Sequence, residues 1–148
     1  MSESNAWASL KKIFSTKDRV NRVENVAGTG TPDVNYCVKG VEGWIELKAP
    51  KEPQRLTTPL FGSNHPLTQD QKNWWLKHNR ARGRGYILIA TNLRWMAVPG
   101  RHADVVNDMT VDDLKILADW HQLKPVRKEK WKQLYNILGS KQNRTHTN

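Results

Sequence analysis

The run Gly30-Thr31-Pro32-Asp33-Val34-Asn35-Tyr36-Cys37-Val38, followed after Lys39-Gly40-Val41-Glu42-Gly43 by Trp44-Ile45-Glu46-Leu47-Lys48, decides how the chain is read. From Asp33 to Val38 apolar and small polar side chains alternate, the period of a strand with one buried face. Residues 39–43 supply turn chemistry, and 44–48 resume the alternation, so the two runs predict a β-hairpin. Successive strand side chains point to opposite faces. Glu46 and Lys48 therefore share one face, with Cα atoms about 6 to 7 Å apart, while Ile45 and Leu47 take the other. If neighbouring strands bring Asp33 beside that charged face, two carboxylates converge next to an ammonium group.

Working outward, Trp7, Leu10, Ile13 and Phe14 form a helical apolar stripe over residues 4–14, with Lys11 and Lys12 on the wet side. Residues 19–26 carry Val20, Val23 and Val26, whose β-branched side chains and following Gly-Thr-Gly-Thr-Pro loop favour a strand. Beyond the hairpin, residues 49–66 contain Pro50, Pro53, Pro59 and Pro66 and read as a long irregular connection of the kind that often carries function. Thr68-Gln69-Asp70-Gln71 is a capping box, and the helix that it opens runs through Trp74, Trp75 and His78 to about Arg82, where Gly83 ends it. Tyr86 to Thr91 and Arg94 to Val98 are strands joined by Asn92-Leu93. The last third reads as helical. Thr110 caps one helix carrying Leu114, Leu117 and Ala118, and residues 126–138 form another, with Pro125 between them. The predicted fold class is α/β, a central mixed sheet flanked by helices, in one domain over residues 1–140 with a frayed tail at 141–148.

Composition narrows the function. The 148 residues hold 24 Lys and Arg against 14 Asp and Glu, a formal net charge of +10 that favours a polyanionic partner. There is no long apolar run and no basic-then-apolar leader, so neither a membrane span nor a secretory signal is expected, and the place of action is the cytoplasm. Cys37 stands alone, which excludes an intrachain disulfide and a structural zinc site. Gly28-Thr29-Gly30 lacks the Gly-Lys-Ser/Thr ending of a phosphate-cradling loop, and the five histidines are scattered without ligand spacing.

Two converging carboxylates raise one another's pKa unless a cation neutralises them, and hard oxygen ligands with room for water suit Mg²⁺ or Mn²⁺. An ion held by Asp33 and Glu46 would polarise a phosphoryl oxygen, with Lys48 orienting the attacking water or stabilising charge on phosphorus. Lys51, Arg55, Lys72, Lys77, Arg80, Arg82 and Arg84 would hold a nucleic-acid backbone around that site. The bland alternative makes Asp33 a turn residue and Glu46–Lys48 an exposed same-face ion pair worth well under ~1 kcal/mol. Of Trp74 and Trp75, about 100° apart on their helix, one is expected in the core and the other near the surface, where it would be free to stack on a base. The basic run Lys124 to Lys132 reads first as a solvated face, with DNA contact as the alternative.

Gly30-Thr31-Pro32-Asp33 followed by Glu46-Leu47-Lys48 resembles the PD-(D/E)xK nuclease signature, and the order helix, three strands, helix, strand resembles that superfamily's core. Thr68-Gln69-Asp70-Gln71-Lys72-Asn73-Trp74 is similar to the Gln-containing helix of its VRR-NUC branch, which includes small bacteriophage nucleases and Holliday-junction resolvase-like enzymes. The likeness covers about residues 3 to 98. It implies a Mg²⁺- or Mn²⁺-dependent endonuclease in which Asp33, Glu46 and the Leu47 carbonyl are metal ligands. Lys48 would be the catalytic lysine, Gln71 a further site residue, and Glu3 an additional acid supporting the metal. It also implies DNA, branched or junction DNA included, as substrate, and a symmetric homodimer as the working form. A non-catalytic nucleic-acid binder on the same fold and an RNA-processing nuclease are the alternatives.

Overall fold

The computed structural model describes residues 1–23, 29–62 and 64–141. Its elements are α1 (Glu3–Leu10), β1 (Arg19–Arg22), β2 (Val34–Val38), β3 (Val41–Lys48), α2 (Gln69–Arg80), β4 (Gly85–Ala90), β5 (Arg94–Pro99), α3 (Val111–Leu117), β6 (Trp120–Leu123) and α4 (Lys128–Leu138), with short 3-10 turns between some of them. The six strands form one sheet in simple sequential order. All neighbours are antiparallel except β3 and β4, which run parallel. A parallel pair cannot be joined by a tight turn, so the chain must cross over. Residues 49–68 and α2 make that crossing, and in doing so lay α2 against the sheet.

The strand period of two sorts the apolar residues into two cores. Val34, Tyr36, Val38, Ile45, Leu47, Tyr86, Leu88 and Ala97 pack with Ala6 and Leu10 of α1 and with Leu134 and Leu138 of α4. On the opposite face Ile87, Ile89, Met96 and Val98 pack with Trp75 of α2, Leu114 of α3, and Leu60, Phe61 and Leu67 of the long connection. β4 is buried on both faces, which is why its sequence is a continuous apolar run rather than an alternating one. No helix among the described residues is long and apolar enough to cross a membrane.

The mixed sheet flanked by helices is as the sequence predicts, with four local differences. The first helix gives way to a 3-10 turn at Lys11–Ile13 rather than continuing to residue 14. The hairpin turn is only Lys39-Gly40, both at positive φ (53° and 78°), as a two-residue turn between right-twisted strands requires; Val41 to Gly43 are therefore strand, not turn. The expected strand over 19–26 is observed for 19–22 and has ended by Val23, while residues 24–26 lie outside the described residues, as does the tail beyond 141. The largest difference is β6, which stands where only helix was expected. Its four residues are too short to show a period, and pairing with β5, Ala97 opposite Trp120, makes them a strand. Trp120 then donates its indole N–H to the Lys130 carbonyl at 3.1 Å, tying α4 to the sheet edge.

The connection at 49–66 has no helix or strand among its described residues, as expected, yet it is firmly anchored. Glu52 accepts from Arg94 through both carboxylate oxygens (2.8 and 3.2 Å) and from the Thr91 hydroxyl (2.5 Å). At its far end Asn107 clamps the Leu67 backbone, accepting from its N–H and donating to its carbonyl, each at 2.9 Å.

Candidate active site

The β2–β3 register settles the geometry of the carboxylates. Val34 lies opposite Ile45 and Asn35 opposite Trp44, so one step further out Asp33 comes opposite Glu46. With alternating side chains, both carboxylates project to the α2 side. Asp33 Oδ2 accepts from the Leu47 N–H at 2.8 Å, which fixes the residue preceding β2 to the strand that carries Glu46 and Lys48. A main-chain donor to a carboxylate is a strong tether, worth about 1.5 to 3 kcal/mol.

Glu46 and Lys48 are not an exposed ion pair. They are 2% and 6% exposed, and no salt bridge within 4 Å joins them. Lys48 Nζ instead donates to Gln71 Oε1 at 3.2 Å and to the Pro66 carbonyl at 3.3 Å. Gln71 Nε2 donates to Glu46 Oε2 at 3.3 Å. The same Gln71 Oε1 accepts from the Thr68 N–H at 2.9 Å, while Thr68 Oγ1 accepts from the Gln71 N–H at 3.1 Å, completing the capping box. Gln71 thus does two things with one amide: it closes the start of α2 and bridges the lysine to the glutamate.

Glu46 Oε1 is buried and accepts no backbone or amide N–H from the described residues. Burial is the main reason its carboxyl is pushed well above the ordinary glutamate value; the charge of Asp33 and a hydrogen bond with it come next, opposed by Lys48. Glu3, in the first turn of α1, reaches the same end of the sheet. Burial raises its pKa first and Asp33 second, while Lys48, His65 and Arg22 pull it down. Among the described residues, no three His, Cys, Asp or Glu side chains gather into a metal-holding group; Asp33 and Glu46 are opposed across the hairpin, and the charge of Glu3 is felt by Glu46 as that of Asp33 is felt by Glu3.

A close backbone approach lets the segment before Asp33 lie against α2. Gly30 has φ +69°, and a Cβ there would sit 2.3 Å from the Asp70 carbonyl carbon and oxygen, so only glycine lets the Gly-Thr-Pro-Asp segment lie on the first turn of α2. His65, exposed beside Pro66, also takes positive φ (54°), uncommon for a non-glycine residue, and its charge acts on Glu3.

Of the cations expected to surround the site, Lys51, Arg55, Lys77, Arg80 and Arg82 are exposed and Lys72 is half-buried. Arg84 is a correction. Counting by twos from Tyr86 and Leu88 places it on the α1–α4 side of the sheet, where it is only 7% exposed. It lies beside the Tyr36 hydroxyl and cannot meet a phosphate at the carboxylate site. Sequence reasoning missed the Pro66 carbonyl, Gly30's packing role and Trp44. Only Gly30 left a signal, as the glycine opening the Thr-Pro-Asp segment.

Trp75 fills the core completely and Trp74 is half-buried, as the helix period predicts. No model of a known protein family matches the sequence, and a comparison with curated proteins finds no match. The structure, however, is similar to that of Hjc, a Holliday junction resolvase from the archaeal hyperthermophile Archaeoglobus fulgidus, with a TM-score of 0.51 and 12% sequence identity over 90% of this chain and 97% of that one. At that identity the likeness shows the fold alone: the mixed six-stranded sheet and its flanking helices share the architecture of that structure.

Proposed function

We propose that this chain is a divalent-metal-dependent nuclease that hydrolyses phosphodiester bonds in DNA, with branched or junction DNA as its preferred substrate, acting in the cytoplasm as a single nuclease-like domain over residues 1–140. The observation that carries this reading is the pair of opposed carboxylates with a buried, hydrogen-bonded lysine at their side. Glu46 Oε1, which accepts no backbone or amide N–H from the described residues, fits an ion there, because a buried carboxylate oxygen without such a donor is costly and a cation relieves that cost. Mg²⁺ and Mn²⁺ are bound through one or two carboxylates with water and substrate phosphate completing the shell, so two acids suffice. Asp33, Glu46 and the Leu47 carbonyl would hold the ion, and Glu3 would support it. Such an ion, when bound, polarises a phosphoryl oxygen and acidifies water.

The remaining work falls to the chain's own groups. Lys48, aimed by Gln71 and Pro66, offers its ammonium to the attacking water or to the charge developing on phosphorus. The exposed Lys51, Arg55, Lys77, Arg80 and Arg82 hold the strand by its phosphates. The Gln71 helix supports the VRR-NUC branch, and a homodimer would place one site on each of two strands. Labelled four-way, linear and RNA substrates, incubated with Mg²⁺ or Mn²⁺, test the proposal. Wild type should cleave four-way DNA, and Asp33→Ala and Lys48→Ala should lose at least about a hundredfold of that rate. Equal cleavage by all three proteins overturns it, and metal-independent binding without cleavage leaves a non-catalytic binder.

A further inference from the structure

One step along β3 from Glu46, on the same face, stands Trp44; one turn along α2 from Gln71 stands Trp74. The two steps run in the same direction away from the carboxylates. Their rings meet edge to face, with centroids 5.3 Å apart and an interplanar angle of 66°. Trp74 is braced from behind. It stacks on His78 at 4.6 Å and touches the fully buried Trp75 at 5.1 Å, and His78 is itself fixed through Nε2 to the Arg84 carbonyl at 2.7 Å.

On the other side of Trp44 the sheet turns polar. Asn35 lies opposite it in register and is held down, donating to the Gly43 carbonyl at 3.1 Å and accepting from Arg19 at 2.6 Å. Beyond Asn35 the same face of β1 and β2 carries Arg19, Asn21 and Cys37, not the apolar side chains that a covering helix would need. Trp44 and Trp74 are therefore half-buried at the border between the α2 wall and a polar strip, beside the carboxylates but not part of them.

We propose that Trp44 and Trp74 form a stacking subsite for an unpaired nucleobase of the substrate strand. The inference rests on the nuclease reading and sharpens its substrate class to nucleic acid with a base freed from its partner near the scissile phosphate, such as a branch point or flap, in preference to continuous duplex. Trp44 is about 6 to 7 Å from Glu46 along the strand, roughly two stacked nucleotide steps of about 3.4 Å each. A rigid, braced indole accepts any base, because every base has a π-face, so the subsite selects unpairedness and not sequence.

The test uses the full chain in EDTA, where nothing is cut, and reads 2-aminopurine fluorescence in two DNAs, one holding the probe unpaired at a branch and one holding it in continuous duplex. Wild type should quench the unpaired probe and bind the branched DNA more tightly. Trp74→Leu and Trp44→Leu should lose about tenfold of that affinity, the scale of one base stack, with duplex affinity changed less than about twofold. Trp44→Phe keeps an aromatic face and should retain the quenching, which separates stacking from loss of fold. Leucine variants that unfold with the wild-type midpoint yet quench and bind as wild type does overturn the proposal, and so does a Trp44→Phe variant that is folded but fails to quench. The readout needs no metal, so a chain that quenches but cuts no substrate would sink the nuclease reading and leave the subsite standing.

Discussion

Replacing Gln71 by alanine should cost more than a helix cap is worth, and Thr68→Ala provides the measure. Thr68→Ala removes the hydroxyl that accepts from the Gln71 N–H, a loss of about 1 kcal/mol, and leaves Lys48 and Glu46 untouched. Gln71→Ala removes the reciprocal bond to the Thr68 N–H, about 1 kcal/mol, and also two bonds to ionisable groups at about 1.5 to 3 kcal/mol each. Lys48 keeps the Pro66 carbonyl, and water can enter the space left by the amide, so the expected total falls to about 3 kcal/mol, some three times the cap alone. Urea unfolding at neutral pH reads both values as midpoint shifts at constant slope. In the cleavage assay Gln71→Ala should slow the reaction by at least about tenfold, since Lys48 and Glu46 lose their common bridge, while Thr68→Ala stays within about threefold. Equal losses from the two variants, in stability and in rate, would mean that Gln71 serves only as a cap.

Gly30→Ala should destabilise by at least about 2 kcal/mol in the same unfolding measurement, because the left-handed backbone costs about 1 to 2 and the new Cβ meets α2 backbone that cannot step aside; a loss below about 0.5 would refute the packing. For Glu46 the sign is fixed by its raised pKa in the fold. Its contribution to metal-free stability is full below the ordinary glutamate value of 4.5 and is lost as pH rises through the folded value. Glu46→Gln in EDTA should therefore match wild type in acid and exceed it progressively toward neutral pH, as followed by thermal unfolding; parallel curves would contradict the burial.

What could be read in advance follows from the range of the interactions. The β2–β3 hairpin is local, and its alternation together with a short turn leaves one register, which by itself sets Asp33 opposite Glu46. Thr68 to Gln71 is equally local and was legible as a cap. The second role of Gln71 is expected only from the family resemblance and not from the local sequence, because it depends on a strand 25 residues away in sequence. β6 has the same difficulty: Trp-His-Gln-Leu carries no period of its own and is a strand only because β5 offers an edge. Arg84 was misplaced for a different reason. Its basic character suggested a phosphate contact, but the parity of β4, readable from Tyr86 and Leu88, puts it on the far side of the sheet. The meeting of Trp44 with Trp74 joins a strand to a helix across the long connection, beyond the reach of any window on the sequence.

The most direct test of the shared-cation claim is Mn²⁺ titration by calorimetry on the metal-free chain and on Asp33→Ala and Glu46→Ala. Saturable binding in the wild type that disappears in each variant is the predicted result. Isotherms that are the same in all three proteins, or a wild type that binds no Mn²⁺, would contradict the account.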